Sequence, residues 1–353
     1  MKPCIYALTA RWIGVGGFAA AALACSSGSE GAGDRAPCDA TGYQANTALD
    51  LPGGGETADP HIIKVGDTYY LYPTSGADSY IGNEGFGVWT SRDLQTWENR
   101  GLVWQPQSAS FYQQPRTCGF WAPNVIEADG AYWMHYSANC RIGVARADSP
   151  LGPFIDVFDH PIVGNGYGGV GDGILGADVS DFPEMAIDAF ILKDDDGYAF
   201  IYFAAYSPAS NIHVIPMMDM TTLADTAPQP AFAAERTGWE GVIREGPWVE
   251  KHEGRYYLSY SGNLANTVNY GVGYAVADDP LGPFVRYSGN PILKTNLDAG
   301  IYGPGHHSEV EGLFGDRLMF YHTKVSAEIG WDRQVRYTPM CWSDSGEIRL
   351  YPF

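Results

Sequence analysis

The sequence predicts an all-β protein: a single five-bladed β-propeller of four-stranded antiparallel sheets over residues 38–353. Three observations carry this reading. First, five segments share one pattern of a β-rich run, a turn pair of glycine and an acid, and an aromatic-rich run: 62–75, 124–138, 190–204, 248–262 and 311–324. Glycine–acid pairs between strand-like runs mark hairpins. Second, the turns Gly66-Asp67, Asp129-Gly130, Asp196-Gly197, Glu253-Gly254 and Gly315-Asp316 recur at intervals of 63, 67, 57 and 62 residues. Third, IGVARADSPLGPF at 142–154 returns as VGYAVADDPLGPF at 272–284, 130 residues and therefore two units later. One unit is long enough for a four-stranded blade, and five fill the chain from residue 38. A pair of β-sandwiches is the alternative, but no linker or composition break follows residue 40.

Composition agrees. The 353 residues are 45% hydrophobic, 14% aromatic and 18% charged, too apolar for a disordered chain. Lys and Arg number 21 against 41 Asp and Glu, a net charge of -20 that repels a phosphate backbone and argues against a nucleic-acid partner. No apolar run reaches the roughly 20 residues of a membrane-spanning helix.

The first 24 residues read as an export signal. Lys2 and Arg11 precede a small, apolar run from Trp12 to Ala24. Ala22-Leu23-Ala24-Cys25 resembles a bacterial lipobox, which makes Cys25 a lipidation site and residues 25–37 a flexible tether. The protein is then a cell-surface or periplasmic lipoprotein that meets the membrane only through its anchor. An ordinary secretory peptide cut nearby is the alternative. A monomer is expected.

Export permits disulfides. Apart from Cys4 and Cys25, Cys38, Cys118, Cys140 and Cys341 remain, with no spacing that suggests zinc. About the Asp129-Gly130 turn, Cys118 and Cys140 fall within one register of facing each other. Cys38 with Cys341 follows by elimination, and it fastens the start of the ring to its last blade. Free, buried thiols stay open as an alternative. The glycine-rich stretch 164–176 contains G-x-G-x-x-G without a strand–turn–helix context, so it reads as a flexible loop rather than a dinucleotide site.

In a propeller the first strand of each blade lines the channel, so equivalent positions converge near one axis. Counting back seven or eight residues from each turn reaches Asp59, Ala122, Asp188, Glu245 and His307, with His306 beside it. Each acid alone has an ordinary reading, as a turn starter or a surface acid; three at a shared offset do not. Clustered carboxylates shift one another's proton affinity, which separates acid from base roles. Two carboxylates flanking a sugar are what glycosidic hydrolysis requires. Phe120, Trp121, Trp248 and Trp89 are candidate stacking platforms for sugar faces, with blade-to-blade core as the competing role. Arg333 joins the candidate substrate contacts.

At these residues the chain resembles glycoside hydrolase family 43, from about residue 55 to its end. Ala58-Asp59-Pro60 looks like the motif of the general base. Trp121-Ala122-Pro123-Asn124 looks like Trp-Ala-Pro-Asp, with Asn124 as a departure. Ile187-Asp188-Ala189 resembles Ile-Asp-Pro, with Ala189 replacing proline. Glu245-Gly246-Pro247 looks like the general-acid motif. Gly303-Pro304-Gly305-His306-His307-Ser308 resembles the fifth-blade motif, whose first histidine commonly faces a channel metal, often calcium. Trp89, Ser91, Asp93-Leu94 and Trp97 resemble the family's Trp-x-Ser-x-Asp-Leu-x-x-Trp edge.

The resemblance implies an inverting mechanism: Asp59 as general base, Glu245 as general acid, and Asp188 raising the proton affinity of Glu245 and holding it. It implies calcium near His306; a histidine that hydrogen-bonds Asp59 or substrate is the alternative. No organic cofactor is expected. Glu-Gly-Pro and Gly-Pro-Gly-His-His look more like the exo-acting members, and no accessory β-sandwich follows the fifth blade. The expectation is an exo-acting α-L-arabinofuranosidase, with β-D-xylosidase and endo-arabinanase as alternatives within the family. A non-catalytic carbohydrate-binding lipoprotein and a scaffold for protein partners are alternatives outside it.

Overall fold

The computed structural model describes residues 38, 40–76, 83–107, 118–164, 167–168, 185–206, 211–233 and 238–351. The leader, Cys25 and the tether to residue 37 lie outside the described residues, as do 169–176 of the glycine-rich stretch. The rest forms five antiparallel sheets in which sequence neighbours are spatial neighbours. Blade one holds β1 (Glu56–Val65), β2 (Thr68–Gly76), β3 (Phe86–Ser91) and β4 (Glu98–Trp104). Blade two holds β5 (Phe120–Ala128), β6 (Ala131–Ala138), β7 (Arg141–Ala147) and β8 (Ile155–Asp156), with β9 (Val163–Gly164) and β10 (Tyr167–Gly168) extending it. Blade three holds β11 (Ala186–Lys193), β12 (Ala199–Ala205), β13 (Asn211–Met217) and β14 (Gln229–Pro230). Blade four holds β15 (Arg244–His252), β16 (Arg255–Gly262), β17 (Gly271–Ala277) and β18 (Val285–Arg286). Blade five holds β19 (Tyr302–Glu311), β20 (Arg317–Lys324), β21 (Arg333–Trp342) and β22 (Ile348–Leu350). The first strands β1, β5, β11, β15 and β19 touch in that order and close on β1 around the axis. This is the five-bladed propeller.

Three of the five predicted turns are two-residue hairpins, at Gly66-Asp67, Asp129-Gly130 and Glu253-Gly254. Asp196-Gly197 and Gly315-Asp316 sit inside longer connections, 194–198 and 312–316. The longer turns serve neighbouring parts of the ring. Asp194 takes Lys251 Nζ at 2.6 Å and the Tyr256 hydroxyl of blade four, and Asp316 takes the Tyr43 hydroxyl at 2.5 Å. The long internal repeat anchors two blades in the same way. Phe154 N donates to Val103 O of blade one at 2.7 Å, and Phe284 N to Ala231 O of blade three at 2.9 Å.

Aromatic side chains fill the wedges between blades. Trp104, 1% exposed, packs on Phe86, Phe120 and Tyr136 with ring centroids 5.2, 5.0 and 4.5 Å away. Emptying such a site costs about 3–5 kcal/mol. Phe120 and Trp89 both belong to these cores rather than to a sugar platform. Phe120 is 1% exposed in the wedge between blades one and two. Trp89 is 3% exposed, its indole N–H donates to Pro52 O at 3.1 Å, and Gly54 and Gly87 lie against its ring. The physical reason for Phe120 is strand alternation: adjacent residues face opposite sides, so Phe120 and Trp121 cannot share a face.

The N-terminal segment closes the ring. Asn46 N and Leu49 N donate to Tyr337 O and Val335 O of β21 at 2.7 and 2.9 Å. A disulfide joins Cys38 to Cys341, 303 residues apart, and a second joins Cys118 to Cys140; Cα atoms are 5.4 Å apart in each.

Candidate active site

One feature recurs in the first strand of every blade. The pairing register slips over two residues: Asp59-Pro60, Ala122-Pro123, Asp188-Ala189, Gly246-Pro247 and His306-His307. The first residue of each pair has a left-handed backbone, with φ of 46°, 47°, 60°, 56° and 43°. A bulge of this kind re-aims side chains out of the pleat, and it often sits beside an active site. The equivalent positions are therefore Asp59, Ala122, Asp188, Gly246 and His306. Counting from the turns had placed Glu245 and His307 on that level; each lies one residue away. Glu245 stands just ahead of its bulge, level with Ala58, Trp121 and Ile187.

Asp59, Asp188 and Glu245 converge on one pocket of about 250 Å³ at one mouth of the channel, together with Trp121, His306 and Arg333. Trp248 does not reach it. Lying past its bulge, it lines a cavity towards the opposite mouth, packed on Phe190 and His61 at 4.6 and 5.9 Å. Asn124, the departure from the family motif, also lies there. Its amide meets His61 Nδ1 at 3.2 Å and its carbonyl accepts Ile191 N–H at 3.3 Å, a donor–acceptor pairing that a carboxylate cannot make.

Asp59 is held by three neighbours. Arg333 Nη1 donates to Oδ1 at 3.3 Å, His306 Nδ1 stands 3.3 Å from the same oxygen, and the Asp59 backbone N–H donates to His322 Nδ1 at 3.1 Å. Arg333 is fixed in turn by Glu56 Oε1 at 2.8 Å. Burial alone would raise the Asp59 carboxyl; His306, Arg333 and His322 outweigh it and hold it well below the usual carboxylate range. Burial brings His306 down to about 4, so at neutral pH the imidazole is uncharged and Arg333 is the acting cation.

Glu245 has the opposite bias. Burial, chiefly, pushes it up, and the Asp59 charge adds to this. Tyr206 and Tyr270 oppose the rise by donating to Oε2 at 2.5 Å and to Oε1 at 2.7 Å. Asp188 is pushed well up by burial and then by Glu245 and Asp59. Its Oδ2 accepts Gly246 N–H at 3.1 Å and lies 3.8 Å from His306 Nδ1. The site thus keeps Asp59 ionised while Glu245 and Asp188 are inclined to hold a proton, which separates a general base from a general acid.

Tyr206 and Tyr270 were missed by sequence reading because neither lies on a repeated position. Tyr270 spans the site: its hydroxyl binds Glu245 while its ring stacks on His322, 5.6 Å away and 5° from parallel. The Gly303-Pro304-Gly305 motif makes room for it, since a Cβ on Gly305 would collide with the Tyr270 ring. Trp331, 38% exposed, stands at the mouth with the Arg333 guanidinium 5.3 Å over its ring. The Cys118–Cys140 disulfide forms part of the wall.

The residues fit a calcium cage poorly. Among the described residues no three His, Cys, Asp or Glu side chains converge as metal ligands, whereas calcium takes six to eight oxygens.

Comparison with known proteins agrees with this geometry. The model of the glycosyl hydrolases family 43 matches residues 53–348. A protein named β-D-galactofuranosidase xynD from Aspergillus niger is 31% identical over 317 residues, 83% of this chain and 82% of that protein. A protein named β-xylosidase from Xylanibacter ruminicola is 27% identical over 264 residues, 65% of this chain and 73% of that one. A solved thermostable family-43 glycoside hydrolase superposes with a TM-score of 0.72 at 34% identity, covering 87% of this chain and 96% of its own. Other relatives are named for arabinofuranosidase and arabinanase activities. With the family's match running through all five blades and its acids gathered in one pocket, the chain belongs to glycosyl hydrolases family 43.

Proposed function

We propose that this glycoside hydrolase is an exo-acting α-L-arabinofuranosidase that works with inversion. The observation that carries the reading is the opposed bias of Asp59 and Glu245 across one pocket. Ionised Asp59 takes a proton from water as the water oxygen attacks the anomeric carbon. The bond from that carbon to the glycosidic oxygen breaks, and Glu245 gives its proton to the departing oxygen. Asp188, itself pushed up by burial and by Glu245 and Asp59, fixes the backbone next to Glu245 through the Gly246 N–H. Trp121 and Trp331 offer rings for sugar faces on either side of the cleaved bond.

The pocket supports exo action. Its volume of about 250 Å³ falls below the roughly 300–1,000 Å³ of pockets that enclose drug-sized ligands, and it suits one or two sugar rings rather than a long chain. A furanosyl unit is favoured by the 31% identical relative, which is named for a furanoside. β-D-xylosidase is the second reading, favoured by the relative named for it. Any calcium at His306 would be held by one imidazole and water, and calorimetry on chelator-stripped protein tests it. Export with a lipid on Cys25 is part of the same proposal, tested by mass spectrometry of the N-terminal peptide.

A panel of 4-nitrophenyl glycosides decides among the sugars. Release from the α-L-arabinofuranoside at the highest kcat/KM supports the proposal. A higher value on the β-D-xyloside replaces it with the second reading. No release from any member favours the binding-protein alternative.

A further inference from the structure

The five bulges are latched to one another by a repeated hydrogen bond, and one latch is different. In four blades the bulge residue's backbone N–H donates to a side chain on the second strand of the preceding blade. Ala122 N reaches Thr74 Oγ1 at 2.8 Å, Asp188 N reaches Ser137 Oγ at 2.9 Å, His306 N reaches Ser261 Oγ at 2.7 Å, and Asp59 N reaches His322 Nδ1 at 3.1 Å. The accepting residues occupy one register station: Thr74 pairs with Ala58, Ser137 with Trp121, Ser261 with Glu245 and His322 with Gly305. In blade three that station, opposite Ile187, is Ala204, fully buried and without an acceptor. The bulge residue it should serve is Gly246, and the Gly246 N–H donates instead to Asp188 Oδ2 at 3.1 Å.

We propose that Ala204 is a positioning residue: by withholding an acceptor at this one station, it leaves the Gly246 N–H to Asp188 and so ties the Asp188 carboxylate to the backbone beside Glu245. Asp188 is then gripped twice, by Ser137 through its own N–H and by Gly246 through its carboxylate. Glu245, whose two oxygens already take Tyr206 and Tyr270, has its following peptide fixed as well. The argument rests on the reading of Glu245 as the general acid. Among the described residues, Asp188 Oδ2 is the acceptor that takes the Gly246 N–H. The other charged and titratable groups facing Asp188 are Asp59, His306 and Arg333, with Tyr206 and Tyr270 on the Glu245 side.

The test is an isosteric pair. Ala204→Thr supplies the hydroxyl that Thr74 supplies in blade one; Ala204→Val adds nearly the same volume without it, so the two variants differ chiefly in the hydroxyl and its burial. Ala204→Ser supplies the hydroxyl with the least added volume, should the larger side chains prevent folding. Selective ¹⁵N-glycine labelling follows the Gly246 amide proton in each folded variant. Steady-state kinetics on an alkyl arabinofuranoside, whose poor leaving group demands protonation, separates kcat from KM. The expected result is a displaced Gly246 amide resonance in the threonine and serine variants, but not in the valine variant. With it comes a kcat about tenfold lower for threonine than for valine at unchanged KM, the loss that one hydrogen bond's worth of positioning represents.

Two results overturn the proposal: an amide that does not respond to the hydroxyl, or one that responds while kcat of the threonine and valine variants stays equal. If the unaltered protein hydrolyses no glycoside, the functional reading has failed, and the amide signal alone decides whether Ala204 leaves the Gly246 N–H to Asp188.

Discussion

On the proposed reading of Glu245 as general acid, Tyr270→Phe isolates the electrostatic control of its proton. The change removes one hydroxyl, 2.7 Å from Glu245 Oε1, and leaves Tyr206 on Oε2. The ring stays, stacked on His322 and over Gly305. A hydrogen bond to an ionised group contributes about 1.5–3 kcal/mol, and one pH unit corresponds to about 1.36 kcal/mol. The lost donor favours the charged form of Glu245, so its loss raises the proton affinity by about one to two units. The second tyrosine takes up part of the load, which places the expectation near one. Glu245 must be protonated to act, so the basic limb of kcat/KM against pH moves up by about one unit. Asp59 contributes no acidic limb in the range assayed, because Arg333 holds that carboxyl well below the usual carboxylate range. The assay is kcat/KM on a 4-nitrophenyl arabinofuranoside across pH 4–10. A basic limb that moves down or does not move refutes the assignment of Glu245 as the acid.

Three further expectations follow from the same geometry. Glu245→Ala abolishes hydrolysis of natural glycosides but spares aryl glycosides with good leaving groups, which need less protonation; equal losses on both argue against Glu245 as the acid. Glu309, 4% exposed, is pushed up to about 8 by burial. A carboxyl that binds its proton more tightly when folded loses stability as pH rises from its unfolded value, near 4.5, through 8. Glu309→Gln therefore raises the thermal midpoint at pH 9 by several degrees relative to its effect at pH 5, and an equal effect at both pH values contradicts this. Cys341→Ser opens the 303-residue closure and lowers stability by up to about 5 kcal/mol in the chain-entropy picture, measured by denaturant unfolding; an unchanged midpoint denies the closure role.

The blade count and hairpin positions were legible because turn chemistry and strand alternation are local. The level of the acids was legible only to within one residue. In the three blades with two-residue turns the bulge lies uniformly seven residues before the turn, at Asp59, Ala122 and Gly246; allowing eight let the count settle on Glu245. That one-residue difference matters physically, because it puts acid and base on different rungs and in different surroundings. Aromatic residues were the least legible. Trp89 and Trp121 look alike in sequence, but Trp89 is walled in by Gly54 and Gly87 whereas Trp121 lines the pocket. Tyr206, Tyr270 and Trp331 reach the site from non-repeating segments, and only the ring's closure shows that they meet Glu245 and Arg333.

The most direct test of the account follows the anomer first released from 4-nitrophenyl α-L-arabinofuranoside by proton NMR, before mutarotation. The account predicts β-L-arabinofuranose as the first product, because water activated by Asp59 attacks from the face opposite the leaving group that Glu245 protonates. The α-anomer as first product would contradict it.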